Sequence, residues 1–156
     1  MKKLLIVLFL LAPLLSFGQI EKGNWLVGGA ASFSSIKYDD AAESNTTYSI
    51  APNIGYFLTK NLALGVDFTF SSPTKNYIFI GAHPFARYYL KNNYFQAKYL
   101  TNTATSYSER GFDLSVGRAF FLKQKVALEP ELYYKRLKGW FNHSDFGMRL
   151  GLQFYW

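Results

Sequence analysis

A histidine, a serine and an aspartate stand side by side at His143-Ser144-Asp145, the three residue types that nucleophilic acyl transfer employs. Their adjacency argues against that chemistry. A triad is assembled through space, whereas successive residues of an extended chain point to opposite faces. The tripeptide reads as the end of a loop and the start of a strand. His83, the other histidine, has no second histidine and no cysteine spaced to share a metal with it. The chain has no glycine-rich phosphate loop, acidic metal cluster or nucleophile elbow. Neither a cofactor nor a catalytic activity is expected. The residues with chemistry left to explain are six charges set inside apolar runs: Asp67, Arg87, Lys98, Glu129, Glu131 and Arg149.

The elements that carry them alternate. From Ser144 to Trp156, Phe146, Met148, Leu150, Leu152, Phe154 and Trp156 share one face, and Gly147, Arg149, Gly151, Gln153 and Tyr155 share the other. The same period places Tyr48, Ile50, Pro52, Ile54, Tyr56 and Leu58 on one face of an earlier strand, and Leu64, Val66, Phe68 and Phe70 on one face of the next. Val126, Leu128, Pro130, Leu132 and Tyr134 repeat it. The partner faces hold Ser49, Ala51, Asn53 and Gly55, then Gly65, Asp67 and Thr69, then Glu129, Glu131 and Tyr133. Apolar residues face out and small or polar ones face in, the pattern of a barrel in lipid. A lipocalin-type barrel has the reverse. A soluble β-sandwich also alternates, but its solvent face carries charge on nearly every strand, and here that face is rich in Gly, Ala and Ser. A long apolar edge strand such as the last one must also be paired on both sides.

Lys2 and Lys3, the apolar run Leu4 to Leu15 and the small-x-small set Ser16-Phe17-Gly18 form the three regions of a secretory signal peptide. The expected division is a signal peptide at 1–18 and a single barrel domain at 19–156. The apolar run falls short of the about 20 residues a spanning helix needs. Aromatic residues make up 19% of the chain and charged residues 17%, against about 25% charged in soluble domains, which suits a surface facing lipid. There is no cysteine, so disulfides do not hold the domain together even in an oxidising compartment. The formal charge of +7 becomes +5 without Lys2 and Lys3. That excess gives no reason to expect nucleic acid and at most favours anionic head groups.

Three segments recur 32 residues apart: Tyr56 to Asn61, Tyr88 to Asn93 and Phe120 to Lys125. Each ends an apolar run with a short polar turn. Longer polar stretches separate them at Lys37 to Asn45, Ser71 to Asn76, Thr101 to Arg110 and Leu137 to His143. The layout predicts eight strands, at 24–36, 46–58, 62–71, 77–90, 94–101, 110–122, 126–137 and 144–156, with short turns on one side and longer loops on the other. An even count puts both termini on the short-turn side, which in such barrels faces the periplasm.

The segments Ala51 to Leu58, Asn61 to Val66, Pro84 to Tyr89, Leu128 to Leu132 and Phe154-Tyr155-Trp156 resemble the small outer-membrane β-barrel (porin-family-like) domains of Gram-negative bacteria. The resemblance covers the whole chain after the signal peptide and rests on strand and turn signals. It implies an OmpA/OmpX-type, all-β, eight-stranded antiparallel up-and-down barrel in the cell outer membrane. It also implies insertion by the outer-membrane assembly machinery through an aromatic-ended last strand, here ending on Trp156 where Phe is commoner. Expected partners are outer-membrane lipids, and the chain is expected to be a monomer.

An eight-stranded barrel has an interior only wide enough for side chains. The six inward charges must therefore pair, and Arg149 is expected to reach Glu129 or Glu131 across the last two strands. Trp25, Tyr56, Tyr88, Phe120 and Trp156, with Phe154 beside the last, would form an aromatic girdle at the short-turn end. Arg118 falls on the lipid phase and would snorkel to head groups unless a bulge turns it inward. Trp140 and Phe141 lie in the last loop, as an outer girdle or a recognition tip. The reading that follows is a structural or surface-interacting barrel with a plugged lumen. The alternatives are an outer-membrane lipid-modifying enzyme, lipid A deacylase-like, using Ser144 and His143, and a narrow channel.

Overall fold

The computed structural model describes residues 20–36, 45–74, 77–104, 107–138 and 143–156. The expected signal peptide, Trp140 and Phe141 lie outside them. Nine segments run in chain order: β1 (Trp25–Ile36), β2 (Asn45–Phe57), β3 (Leu62–Thr74), β4 (Tyr77–Leu90), β5 (Asn93–Ala104), β6 (Tyr107–Arg118), β7 (Phe120–Lys123), β8 (Val126–Lys138) and β9 (His143–Tyr155). Each pairs antiparallel with a chain neighbour, and β9 closes on β1 in the register Leu26↔Tyr155 to Ser32↔Arg149. Both β6 and β7 pair with β8, in one continuous register from Gly117↔Glu131 to Phe120↔Leu128. They are two parts of one strand, so the sheet is a closed eight-stranded antiparallel barrel. Trp25 and Trp156 exchange backbone hydrogen bonds of 2.8 and 2.9 Å at the seam.

The interruption between β6 and β7 has a cause on β8. In that register Pro130 faces Arg118, and a proline has no N–H to give to the ladder. Two other prolines act alike. Pairing of β2 with β3 lapses between Ile50↔Phe70 and Asn53↔Asp67, around Pro52. That of β4 with β5 lapses between Gly81↔Asn102 and Phe85↔Lys98, around Pro84. On their other edges all three remain paired, as Gly29↔Pro52, Val66↔Pro84 and Pro130↔Leu150. Thr101 Oγ1 donates to the Ala82 carbonyl at 2.7 Å inside the second gap.

The turns near one end are short. Residues 91–92 join β4 to β5, with Lys91 at φ 58°, the left-handed backbone that two-residue hairpins between twisted strands require. The stretches expected as long loops are less uniform. β3 continues to Thr74 and β4 begins at Tyr77, while β5 and β6 stay paired from Leu100↔Gly111 to Ala104↔Tyr107. Most of 71–76 and 101–110 is therefore ladder. Polar Ser, Thr and Asn marked those stretches as loop, but strands of 12 to 14 residues exceed the about 9 to 11 a membrane requires. Their far ends can be polar and still pair.

The faces alternate along the barrel. On β2, Ala51, Asn53, Gly55 and Phe57 are buried while Ile50, Pro52, Ile54 and Tyr56 are exposed. Inside the short-turn end, Leu26, Phe57, Tyr89, Tyr94, Phe121 and Tyr155 form an apolar cluster. Small residues make room for it. A Cβ on Gly117 would lie 2.4 Å from the Tyr94 ring, and one on Gly65 2.5 Å from Phe85.

Candidate functional site

Above the aromatic cluster the interior turns ionic, because inward positions of successive strands are forced toward one axis. Glu129 of β8 meets Arg87 of β4 across the barrel, with Nη1 2.8 Å from Oε2. Asp67 of β3 holds Lys98 of β5 at 2.7 Å. Arg149 of β9 reaches Glu131, directly opposite on β8, with Nε 2.7 Å from Oε1. That contact is an ion pair only, since the Nε hydrogen does not point at the oxygen. Its two terminal nitrogens donate instead to Asp113 of β6, at 2.9 and 2.8 Å.

All six charges singled out in the sequence lie inside. Of the two expected partners for Arg149 the structure gives it Glu131. Glu129 is taken by Arg87 and by the hydroxyl of Tyr155, which donates to it. The sequence reading had missed Asp113, whose phase between the outward Phe112 and Leu114 was the available signal. It also missed the polar residues that hold the cations in place. Arg87 Nε donates to Gln96 Oε1 at 2.6 Å and its Nη1 to the Tyr89 hydroxyl at 3.1 Å. Its guanidinium lies over the Tyr94 ring at 4.3 Å, and the Tyr94 hydroxyl donates to Glu131 at 3.1 Å. Arg149 stacks likewise on Tyr133 at 4.3 Å. Near the far end Lys135 pairs with Asp145 at 3.0 Å.

His83 is buried beside Thr69, 3.2 Å from its hydroxyl, and 3.9 Å from Asp67. Among the described residues no group of three His, Cys, Asp or Glu side chains is placed to hold a metal. A cavity of about 10 Å³ remains among Asn53, Gln96, Gln153 and the ion pairs, the space of about one water molecule. Asn53 Oδ1, Gln96 Nε2 and Gln153 Oε1 have no protein partner and are the polar groups such a water would satisfy.

Charge is sorted by side of the wall. Asp67, Asp113, Glu129 and Glu131 are buried, while Lys22, Lys60, Lys91, Arg110, Arg118, Lys123, Lys125, Arg136 and Lys138 are exposed. With Arg87, Lys98 and Arg149 inside as well, the lumen carries a formal charge of −1, so the positive excess of the chain lies on the outside of the wall. Arg118 points outward, with its guanidinium 5.4 Å from the Phe120 ring. At the same end Trp25 and Tyr56 stack edge to face at 5.1 Å, and Lys125 lies over Trp156 at 5.6 Å. Tyr88 and Phe154 are exposed and Phe120 is half-buried. Ser144 is on the outer face, where the Tyr134 hydroxyl donates to it at 3.2 Å. Asp145 is on the inner face, accepting from Tyr133 at 3.2 Å. The serine and the acid are on opposite sides of the wall.

No family model matches the chain, and no curated protein does. A solved structure titled "De novo design of transmembrane beta-barrels" superposes with a TM-score of 0.52 at 13% identity, covering 87% of this chain and 98% of that one. The solution NMR structure of the de novo designed TMB2.3 gives a TM-score of 0.44 at 17% identity, covering 87% and 96%. The first establishes a fold of the transmembrane-barrel type.

Proposed function

We propose that this chain is an integral outer-membrane β-barrel of Gram-negative type, exported behind the segment at 1–18 and inserted by the outer-membrane assembly machinery. Its task is structural or surface-interacting, with a closed, charged lumen and no catalysis. The observation that carries this reading is the sorting of side chains. Ile50 is 66% exposed, Phe146 71%, Met148 71% and Phe95 55% on the outer wall, while Asp67, Glu129 and Gln153 are each 1% exposed inside. In water such a surface would aggregate. In hydrocarbon a closed barrel leaves no unpaired edge, and on β6 the exposed cations stand only at the two ends of the apolar row, at Arg110 and Arg118.

Because the four buried carboxylates are cross-linked to Arg87, Lys98 and Arg149, passage of an ion would require breaking pairs that have no solvent to replace them. The lumen is therefore closed to ions. Ser144 and Asp145, facing opposite sides of the wall, support the absence of a lipid-hydrolysing triad. The short-turn end faces the periplasm, and the chain works as a monomer.

The test has three readouts. The protein is expected in the outer-membrane fraction, with a gel mobility that changes on boiling. It is expected to give no conductance steps in planar bilayers. Ser144→Ala is expected to leave the lipid composition of the membrane unchanged. Recovery in the soluble fraction would contradict the membrane reading. Stepwise conductance would replace the closed barrel with a channel, and a changed lipid profile would replace it with an enzyme. A deletion strain then addresses the physiological task.

A further inference from the structure

We propose that Arg110, Arg136 and Lys138 form a site for the phosphate group of an anionic lipid in the leaflet at the loop end of the barrel. The inference rests on the membrane reading above. Arg110 of β6 and Lys138 of β8 are direct cross-strand partners, and Arg136 stands one row nearer the middle, opposite Phe112. Directly opposed Cβ atoms are about 5 Å apart and diagonal ones about 7 to 8 Å. Three cations thus share one small patch of outer wall, all exposed.

Like charges directly opposite repel, and no ion pair among the described residues relieves any of the three. Asp113, the nearest acid on β6 whose side chain is described, points inward to Arg149. The outward neighbours are neutral hydroxyl residues, Thr101 opposite Arg110 and Ser144 opposite Arg136. Among the described residues the patch therefore offers N–H and O–H donors to an anion and no competing carboxylate. Guanidinium groups match a phosphate with paired hydrogen bonds.

Depth selects a lipid over a free ion. The outward row of β6 reads Arg110, Phe112, Leu114, Val116, Arg118, a cation at each end of three apolar side chains. Eight steps of about 3.3 Å, tilted by about 40°, separate the two arginines by about 20 Å along the barrel axis. The apolar band of such barrels is about 25 Å tall, so each arginine starts just inside one edge of it, and its long side chain carries the guanidinium to the head groups. Phe112, opposite Arg136, and Tyr134, one row nearer the middle, lie with ring centroids 6.2 Å apart, an apolar rest for an acyl chain. The patch is also local. Ile50, Phe70 and Ile80, outward near the same end on other strands, are apolar.

The experiment uses the folded full-length barrel, released from vesicles of phosphatidylcholine containing phosphatidylglycerol, with retained lipid read by native mass spectrometry. Wild type is expected to retain phosphatidylglycerol selectively, and R110Q/R136Q/K138Q to lose at least about tenfold of it. The single variant R136Q, which alters the wall least, is expected to lose about threefold. K60Q/K91Q/K123Q, at the other end, is expected to retain wild-type selectivity. Equal retention by wild type and the triple variant overturns the proposal. So does equal retention of both lipids by wild type, loss of selectivity in the turn-lysine variant alone, or displacement of the lipid by inorganic phosphate. Failure of wild type to enter vesicles of either composition overturns the membrane reading and this proposal together, and is visible as unchanged gel mobility on boiling.

Discussion

The two halves of the barrel interior are closed by different physics. Near the short turns, Leu26, Phe57, Tyr89, Tyr94, Phe121 and Tyr155 fill the lumen with apolar area, with ring centroids 5.2 to 6.4 Å apart among the aromatic members. Toward the middle and beyond, the same width is filled by ions: Arg87 with Glu129, Lys98 with Asp67, and Arg149 with Glu131 and Asp113. The aromatic floor tolerates small losses of polarity but not added volume. The ionic half tolerates the removal of a whole pair but not of one member. Packing is additive over atoms, whereas a buried charge depends on its partner.

Removing one member of the ionic half should have the largest effect. Arg149→Met leaves Asp113 and Glu131 buried without their cation, and an unfolding free energy lower by about 3–5 kcal/mol is expected from urea titration in vesicles. Combining it with Asp113→Asn and Glu131→Gln should restore most of that loss. A neutral single variant would erase the distinction between the halves. Overfilling the floor comes next. Gly117→Val places side-chain atoms where the Tyr94 ring lies, with an expected cost of about 1–3 kcal/mol in the same titration.

The border between the halves is sharpened by Tyr89→Phe. The Tyr89 hydroxyl accepts from Arg87 at 3.1 Å and lies 3.0 Å from that of Tyr155, while its ring packs in the floor. Keeping the ring and losing the hydroxyl should cost about 1 kcal/mol. A cost as large as that of Arg149→Met would place Tyr89 wholly in the ionic half. Lys60→Gln, in an exposed turn outside both halves, should change stability by less than about 0.5 kcal/mol.

The barrel was legible in the sequence because period-two alternation leaves no freedom: once Phe112 and Leu114 face out, Asp113 must face in. The same rule put Arg118 on the lipid phase but left an inward bulge open, and the 32-residue recurrence located the short turns. The pairings were less legible. Arg87 and Glu129 lie on strands that are not neighbours, and no local pattern says which inward residues meet across a lumen. The floor was hidden because tyrosine suits both a girdle and a core. Tyr88 and Tyr89 are adjacent, one exposed and one buried, and only strand phase separates them. The polar ends of β3 to β6 looked like loops because composition reports contact with water, not the absence of pairing. The gaps opposite Pro52, Pro84 and Pro130 follow from the missing N–H, but which edge each one opens depends on register.

The account's central claim is that one face of each strand meets hydrocarbon while the other meets a filled, water-poor interior. Spin labels placed singly at 112 to 117 in the vesicle-embedded protein test it most directly, through collision rates with oxygen and with a water-soluble nickel chelate. Oxygen collisions should peak at 112, 114 and 116 and fall at 113, 115 and 117, with the chelate excluded from all six positions. Chelate access at 112, 114 and 116 would put that face in water, and chelate access at 113, 115 and 117 would mean an open, hydrated lumen. Either result would contradict the account.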